Sequence, residues 1–433
     1  MLAKPPSNRG MVVLDRTKFG ASVPLMMAKL QHPSLIGRLG KECPSDLLDT
    51  RGISRVIKIT EQDRGILLNP DIKSKAMLSE TAREMLGDSE VSPYTLELDY
   101  NYWSTEEILR SILPSELADV PTGFTVVGHI AHMNLRDQYL PYKHVIGQVI
   151  LDKNPSIKTV VNKLDSIHSV YRTFDMEVIA GEDGNFEVEQ LESNCRFRFD
   201  FRKVYWNSRL HTEHDRLVSL FEPGQSVCDP FAGVGPFAVP AGKKNVLVFA
   251  SDLNPFSYEA MVNNVNINKV GQFVHPFNID AREFIRGSTK RLLEFQAKYP
   301  TLTPPRKKVS RSKSASPPQP DIEVPKYFSH FVMNLPDSAI EFLDAFRGLY
   351  TGIEEAKDFP LPTIHVHCFH KHSPLEKEPP IEVVESDLAE RCSRALGFTV
   401  HRENMKFHDV RKVAPTKEMY CISFQLPKEV AFA

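Results

Sequence analysis

Long apolar runs are missing from this sequence, and no stretch approaches the roughly 18 to 20 continuous apolar residues of a membrane-spanning helix. A soluble protein with no membrane partner is expected. Cysteine is scarce: Cys43, Cys195, Cys228, Cys368, Cys392 and Cys421 lie far apart without a C-x-x-C pair, so neither structural zinc nor a redox dithiol is suggested. The expected state is reduced, intracellular and free of metal. Excess charge is absent as well, the formal net charge being -2. Bulk charge therefore identifies no partner, and local segregation matters more.

That segregation is at the front. Residues 1 to 41 carry seven Lys or Arg against the single acid Asp15, a net +6. Residues 1–30 read as a basic arm suited to mitochondrial targeting or nucleic-acid contact, since "ASVPLMMAKL" is too short for a secretory core. At 433 residues the chain should hold two or three domains. Residues 31–110 read as a small N-terminal α+β domain and a linker ending in "YTLELDYNYW". Residues 111–205 read as a middle α+β domain, with strands at Thr125 to Val127 and "IKTVVNK", a helix through "YKHVIGQVILDKN", and period-2 alternation over Arg196 to Tyr205. Residues 206–433 repeat strand, turn and helix, from "SVCDPF" to "TIHVHCF" and "EVVESDLAERCSRAL", the pattern of a largely parallel sheet covered on both faces. The last strand candidate, "MYCISFQL", suits an antiparallel position. Between 300 and 325, seven prolines among Ser, Lys and Arg read as a disordered surface insertion.

Ligands of open parallel sheets collect beyond the carboxyl ends of the strands. The stretch "CDPFAGVGPFAVP" sets Gly233 and Gly235 where a side chain would occupy ligand volume. It lacks the third glycine of G-x-G-x-x-G and any Walker lysine. Asp229, Asp252 and Asp280 each stand at a strand end. Asp252 is placed to accept ribose hydroxyls, and Asp280 to face an adenine amino group. Three acids beside a glycine loop repel phosphates, so adenosine with a small zwitterionic tail fits better than NAD or ATP. S-adenosyl-L-methionine is the expected cofactor, with Phe231 and Leu253 completing its surroundings.

The segments "NKLDSIHSVYRTFDMEVIAG", "FDFRKVYWNSRLHTEHDRL", "VCDPFAGVGPFAVPAG", "ASDLNP" and "FVMNLPDSAIEFLDAF" resemble the archaeal and eukaryotic tRNA (guanine37-N1)-methyltransferases over nearly all of the chain outside 300–325. The resemblance implies an α/β fold, with a class I (Rossmann-like) methyltransferase domain beside the middle α+β domain and a small N-terminal α+β domain that checks tRNA shape. It implies methyl transfer from S-adenosyl-L-methionine to N1 of guanosine 37, with Glu213 as general base and Arg172 as its companion. It places Tyr205 and Arg209 on the substrate side and maps an N-x-P element onto Asn334, Leu335 and Pro336, with Asn334 near both cofactor and base. In "VYWNSRL", Trp206, Asn207 and Ser208 depart from the phenylalanine, serine and proline commoner among relatives.

The chemistry follows from the base. Guanine N1 carries a proton, which a carboxylate within bonding reach takes while the sulfonium methyl waits in line. Burial near the purine is expected to raise the pKa of Glu213 toward the working range. Arg172 or Arg209 would stabilise charge on guanine O6; Asn334 would bond the guanine edge or fix the loop that does, and Pro336 would stiffen the backbone. Neither "HTEHDR" nor "HVHCFHKH" has the spacing of a zinc site. The rivals are aminocarboxypropyl transfer to a modified guanosine 37 in wybutosine synthesis, and an inactive RNA-binding protein on the same scaffold. Inosine 37 is a further expected substrate, a monomer the default, and cytoplasm and nucleus with a mitochondrial matrix pool the expected location.

Overall fold

The structure, a computed structural model, describes residues 2–117, 119–164, 175–304, 320–373, 375 and 379–433. It comprises two units. The first is built from the chain up to Thr125 with His129–Leu164 and Met176–Asp183.

In the first unit, strand β1 (Ala21–Leu30) turns Val23 and Leu25 inward and Ser22 and Pro24 outward. With β2 (Val56–Lys58), β3 (Arg64–Leu67) and β4 (Val91–Leu98) it forms an antiparallel sheet in the order β2-β3-β1-β4. Helices α1 (Leu35–Glu42) and α2 (Glu80–Leu86) place Leu39, Ala82 and Leu86 against Ala28 and Ile66. Helix α3 (Thr105–Ile112) opens on a capping box between Ser104 and Glu107, which satisfies two free N–H groups at once. Beyond β5 (Thr125–Val127), β6 (Ile130–Met133) pairs in parallel with β7 (Thr159–Lys163), and β7 in antiparallel with β8 (Met176–Gly181). Helix α4 (Lys143–Lys153) covers β7 and β8.

This unit departs from the sequence reading in three places. Residues 21–30 are a central strand and not part of an arm, because their alternating apolar side chains have a sheet to enter. Ahead of them, Asn8 and Gly10 bond the end of α3 through Ser111 O and Ile112 O, and Arg16 pairs with Asp152 at 2.7 Å. The expected linker is ordered: Trp103 is buried, and its indole N–H donates to Phe19 O at 2.7 Å. The N-terminal and middle segments share one apolar core, in which Leu25, Leu96 and Trp103 meet Ile108, Ile146 and Val160.

In the second unit, which includes Gly184–Ala433, β9 (Glu187–Glu192) and β10 (Cys195–Asp200) form a hairpin turning through Ser193 and Asn194 at φ 50° and 56°. Two positive φ values match the right-handed twist of the strands. The alternation expected as far as Tyr205 ends at Asp200, whose Oδ1 accepts Arg202 N–H at 2.9 Å and closes a turn. The hairpin also belongs with this unit, not with the middle segment. Asn264 Oδ1 accepts Arg198 N–H at 2.7 Å, and Asn268 bonds both N–H and C=O of Arg196.

After α5 (His211–Leu220) come β11 (Ser226–Asp229), α6 (Ala238–Lys243), β12 (Leu247–Ser251), α7 (Pro255–Ile267), β13 (Val274–Phe277) and α8 (Ala281–Lys298). A short pair, β14 (Thr301–Leu302) with β15 (Ile322–Glu323), precedes β16 (His330–Met333) and β17 (Thr363–Lys371). Then follow α9 (Ile381–Leu396), β18 (Met405–Ala414), β19 (Lys417–Gln425) and α10 (Lys428–Ala431). The sheet order is β13-β12-β11-β16-β17-β19-β18, with the first five strands parallel, β19 antiparallel to β17, and β18 antiparallel to β19.

The parallel strands, their helices and the antiparallel β19 agree with the sequence reading. Strand β18 was not anticipated: it is a charged edge strand with two register shifts, so it shows no clean alternation. The segment after β16 winds as a 3-10 helix over Ala339–Phe346 instead of an α-helix. The ends of the expected insertion are ordered, with Leu302 and Val324 buried; residues 305–319 lie outside the described residues. Among the described residues no helix is long and apolar enough to cross a membrane.

Asn264 is fully buried and also donates to Val234 O at 3.0 Å, so it ties the hairpin, α7 and the glycine loop together. Asn264→Ala leaves an N–H and a C=O unpaired, and should lower unfolding free energy by about 2–4 kcal/mol in urea denaturation. A loss below about 0.5 kcal/mol would show that the tie is not needed.

Candidate functional site

The five parallel strands end on one edge of the sheet, and the strand order reverses between β11 and β16, the place where ligands of open α/β sheets bind. Asp229 ends β11 there and is fully buried. Its Oδ1 accepts Phe231 N–H at 3.1 Å, while Oδ2 has no hydrogen-bond partner. Burial, reinforced by nearby Asp252, pushes its pKa up from 3.8 to about 8. One strand over, Asn334 follows β16, and its Oδ1 is likewise buried without a partner. Buried orphaned acceptors are rare in folded proteins, and two at neighbouring strand ends mark a place shaped for donors from a ligand.

The glycine loop lies between them. Gly233 and Gly235 have φ values of 54° and 95°, a region that favours glycine. A Cβ at Gly233 would meet nothing within 4 Å, so the space over it is open to a ligand. At Gly235 a Cβ would come within 3.1 Å of Val239, so this glycine serves helix packing and not ligand volume, contrary to the sequence reading. Asp252 fixes the loop by accepting Gly233 N–H through Oδ2 and Asn254 N–H through Oδ1, each at 2.9 Å. Burial raises its pKa against those two bonds. Each oxygen keeps a lone pair for a further donor such as a ribose hydroxyl.

Leu253 is half exposed beside Asp252, and Asn278 holds the turn by donating to both Asp252 O and Leu253 O. Phe231 packs edge-on against Phe342 at 5.0 Å. Asp280 is exposed and caps α8, its Oδ1 accepting from Arg282 and Glu283 N–H groups; that is its observed role.

Glu213, in the first turn of α5, is buried at 2 % exposure. Arg216, one turn on, grips both its oxygens at 2.6 and 2.7 Å. From the opposite side His367 Nε2 meets Oε1 at 2.7 Å. His408 Nε2 stands 3.6 Å from Oε2, and Cys421 Sγ lies with the Glu213 and His367 donor atoms inside 4.8 Å. Burial acts to raise the pKa of Glu213, but Arg216 and His367 outweigh it and bring the carboxyl down to about 2. The expectation that burial would dominate is therefore corrected: the two cations were not foreseen. Burial acts to lower His367, yet Cys421 and Glu213 carry it up to about 10. Arg216 holds both carboxylate oxygens and His367 Nε2 bonds Oε1, so the cluster is a charge-assisted hydrogen-bond network, with His367 Nδ1 buried and unpartnered.

The network adjoins the loop. His367 follows Val366, which is in register with Met333 just before Asn334, and its ring lies 6.2 Å from that of Phe237 at the loop's end. The structure thus gathers Asp229, Phe231, Gly233, Asp252, Leu253, Asn334 and Glu213 on one edge. Pro336 stays beside β17, accepting Phe369 N–H at 2.9 Å. Tyr205 and Arg209 are exposed ahead of α5, where Asn207 Oδ1 accepts Arg209 N–H and its amide donates to the Tyr205 hydroxyl. Trp206 is buried against Phe197 and Phe199. Arg172 lies outside the described residues. Arg216 and His367 escaped the sequence reading. A signal existed for His367: "HVH" in a strand puts His365 and His367 on one face.

A model described as the TYW2 N-terminal domain matches residues 105–184, and one described as the TRM5/TYW2 methyltransferase domain matches 188–295. A tRNA (guanine(37)-N(1))-methyltransferase of Schizosaccharomyces pombe is 52% identical over 97% of this chain and 95% of its own length. The protein of the same name from Yarrowia lipolytica is 46% identical over 99% and 93%. Among solved structures, Trm5b from Pyrococcus abyssi covers 93% of this chain and 99% of its own, with a TM-score of 0.56 at 24% identity. The complex of aTrm5 and tRNALeu covers 93% and 100%, with a TM-score of 0.59 at 19% identity. These two share the fold, a class I methyltransferase sheet with further α/β structure ahead of it. At 46–52% identity over nearly its whole length, the chain belongs to the tRNA (guanine(37)-N(1))-methyltransferase family.

Proposed function

We propose that the protein transfers a methyl group from S-adenosyl-L-methionine to N1 of guanosine 37 in tRNA, with Glu213 as the proton acceptor. The observation that carries the mechanism is the buried carboxylate of Glu213, held ionised at the strand-end edge beside two orphaned acceptors. The pocket suits the cofactor: Asp252 would take ribose hydroxyls, the open space over Gly233 would admit the adenosine side, and Leu253 offers an apolar surface. When bound, S-adenosyl-L-methionine supplies an electrophilic methyl group.

The residues of the chain supply alignment and proton control. The guanine has to leave its stack to present N1, and Asn334 Oδ1 is an acceptor for an N–H of its edge. Glu213 carries no proton near neutral pH, so it is free to receive the one on N1. As the N1–H bond breaks and an O–H bond forms on the carboxylate, the N1 electron pair becomes available to the methyl carbon. A carboxyl held near 2 has low proton affinity, so one cation must withdraw when guanine enters. Arg216 is the one with room, its side chain being 27% exposed against 0% for His367. Released from Glu213, its guanidinium would be available to stabilise charge gathering on guanine O6, a role the sequence assigned to Arg172 or Arg209. Inosine presents the same N1–H and O6 edge and is a second substrate on this reading.

Glu213→Gln should lower single-turnover methylation of a guanosine-37 transcript roughly 10- to 1000-fold, the scale of a lost general base, with cofactor affinity intact. An unchanged rate in a folded variant removes Glu213 from the mechanism. Asp252→Ala should weaken S-adenosyl-L-methionine binding about 10-fold or more by calorimetry, the scale of a lost hydrogen bond to a charged group. Unaltered affinity would place the ribose elsewhere.

A further inference from the structure

Two ionisable groups buried together are tolerated only when each satisfies the other. Glu213 and His367 meet at 2.7 Å, one from α5 and the other from β17, while His367 Nδ1 is buried with no hydrogen-bond partner. The groups facing His367 are Glu213 and Arg216 on α5, Cys421 opposite it in the β17–β19 register, His408 on β18, Asp229 at the end of β11, and His365 on its own strand. The hydrogen-bond contact of His367 Nε2 is Glu213 Oε1.

Resting on the reading of Glu213 as the base, we infer that His367 is a positioning residue for methyl transfer: its Nε2–H pins Glu213 Oε1, and its cationic ring keeps the carboxylate free of a proton until guanine arrives. The two oxygens then differ in duty. Oε1 stays on the immobile imidazole when Arg216 withdraws. Oε2, bonded to Arg216 Nε at 2.6 Å and 3.6 Å from His408 Nε2, is released to take the N1 proton. His367 touches neither substrate nor reacting atoms. It acts through the carboxylate, and its raised proton affinity agrees with a cationic ring across the working pH range.

A packing role and a positioning role separate in the pH profile. His367→Gln keeps an N–H donor but removes the charge, so the proton affinity of Glu213 should rise and an acid limb should enter the accessible range. In single turnover on a guanosine-37 transcript, the wild-type rate should hold nearly level from about pH 8 to about pH 5. The variant should lose roughly 10-fold or more over that span. A variant profile parallel to wild type, lowered equally at every pH, overturns the inference. If Glu213→Gln itself leaves the rate unchanged, the reading of the base fails instead, whatever His367 does. Should His367→Gln not fold, imidazole ¹⁵N resonances of the intact wild-type protein decide: both His367 nitrogens should be protonated at about pH 8, and a neutral ring there would contradict the inference.

Discussion

The network of Glu213 with Arg216 and His367 is the constraint on which the proposed site at the strand-end edge depends. A lone buried carboxylate would take up a proton and become useless as an acceptor; two cations prevent that. They also set a limit, because a carboxylate so well satisfied has little appetite for a proton. The two partners differ in burial: His367 is enclosed within the sheet, and Arg216 reaches in from a helix with its side chain partly exposed.

The cofactor side shows the opposite electrostatics. Asp229 and Asp252 sit on adjacent strands, and burial raises both. Among the described residues neither has a cation bonded to it; backbone N–H groups hold them instead. Asp252 keeps lone pairs for hydroxyl donors, which the ribose of an adenosyl amino acid supplies.

Much of this was legible in the sequence, and the reasons are local. Buried parallel strands write themselves as apolar runs, and a strand end followed by Asp or by small residues marks the ligand edge, so Asp229, Gly233 and Asp252 could be placed without coordinates. Glu213 and Asn334 came only through resemblance, since a helix-borne glutamate and a loop asparagine have no distinguishing pattern of their own. Arg216, His367 and Cys421 could not be assembled, because they arrive from three elements whose pairing is set by sheet order and register. The error over the pKa of Glu213 has the same origin: burial is readable from sequence, whereas long-range partners are not. Likewise β18, charged and bulged, carries no alternation to read, and the basic N-terminal segment hid a central strand behind its charge.

The central claim is that Glu213 receives the N1 proton of an extruded guanine. A structure of the protein with a guanosine-37 tRNA and a non-reactive cofactor analogue tests it most directly. The account predicts a Glu213 carboxylate oxygen within about 3 Å of guanine N1, with Oε1 still on His367 and Arg216 turned aside. A guanine N1 well beyond bonding distance from Glu213, with Arg216 still holding both oxygens, would contradict it.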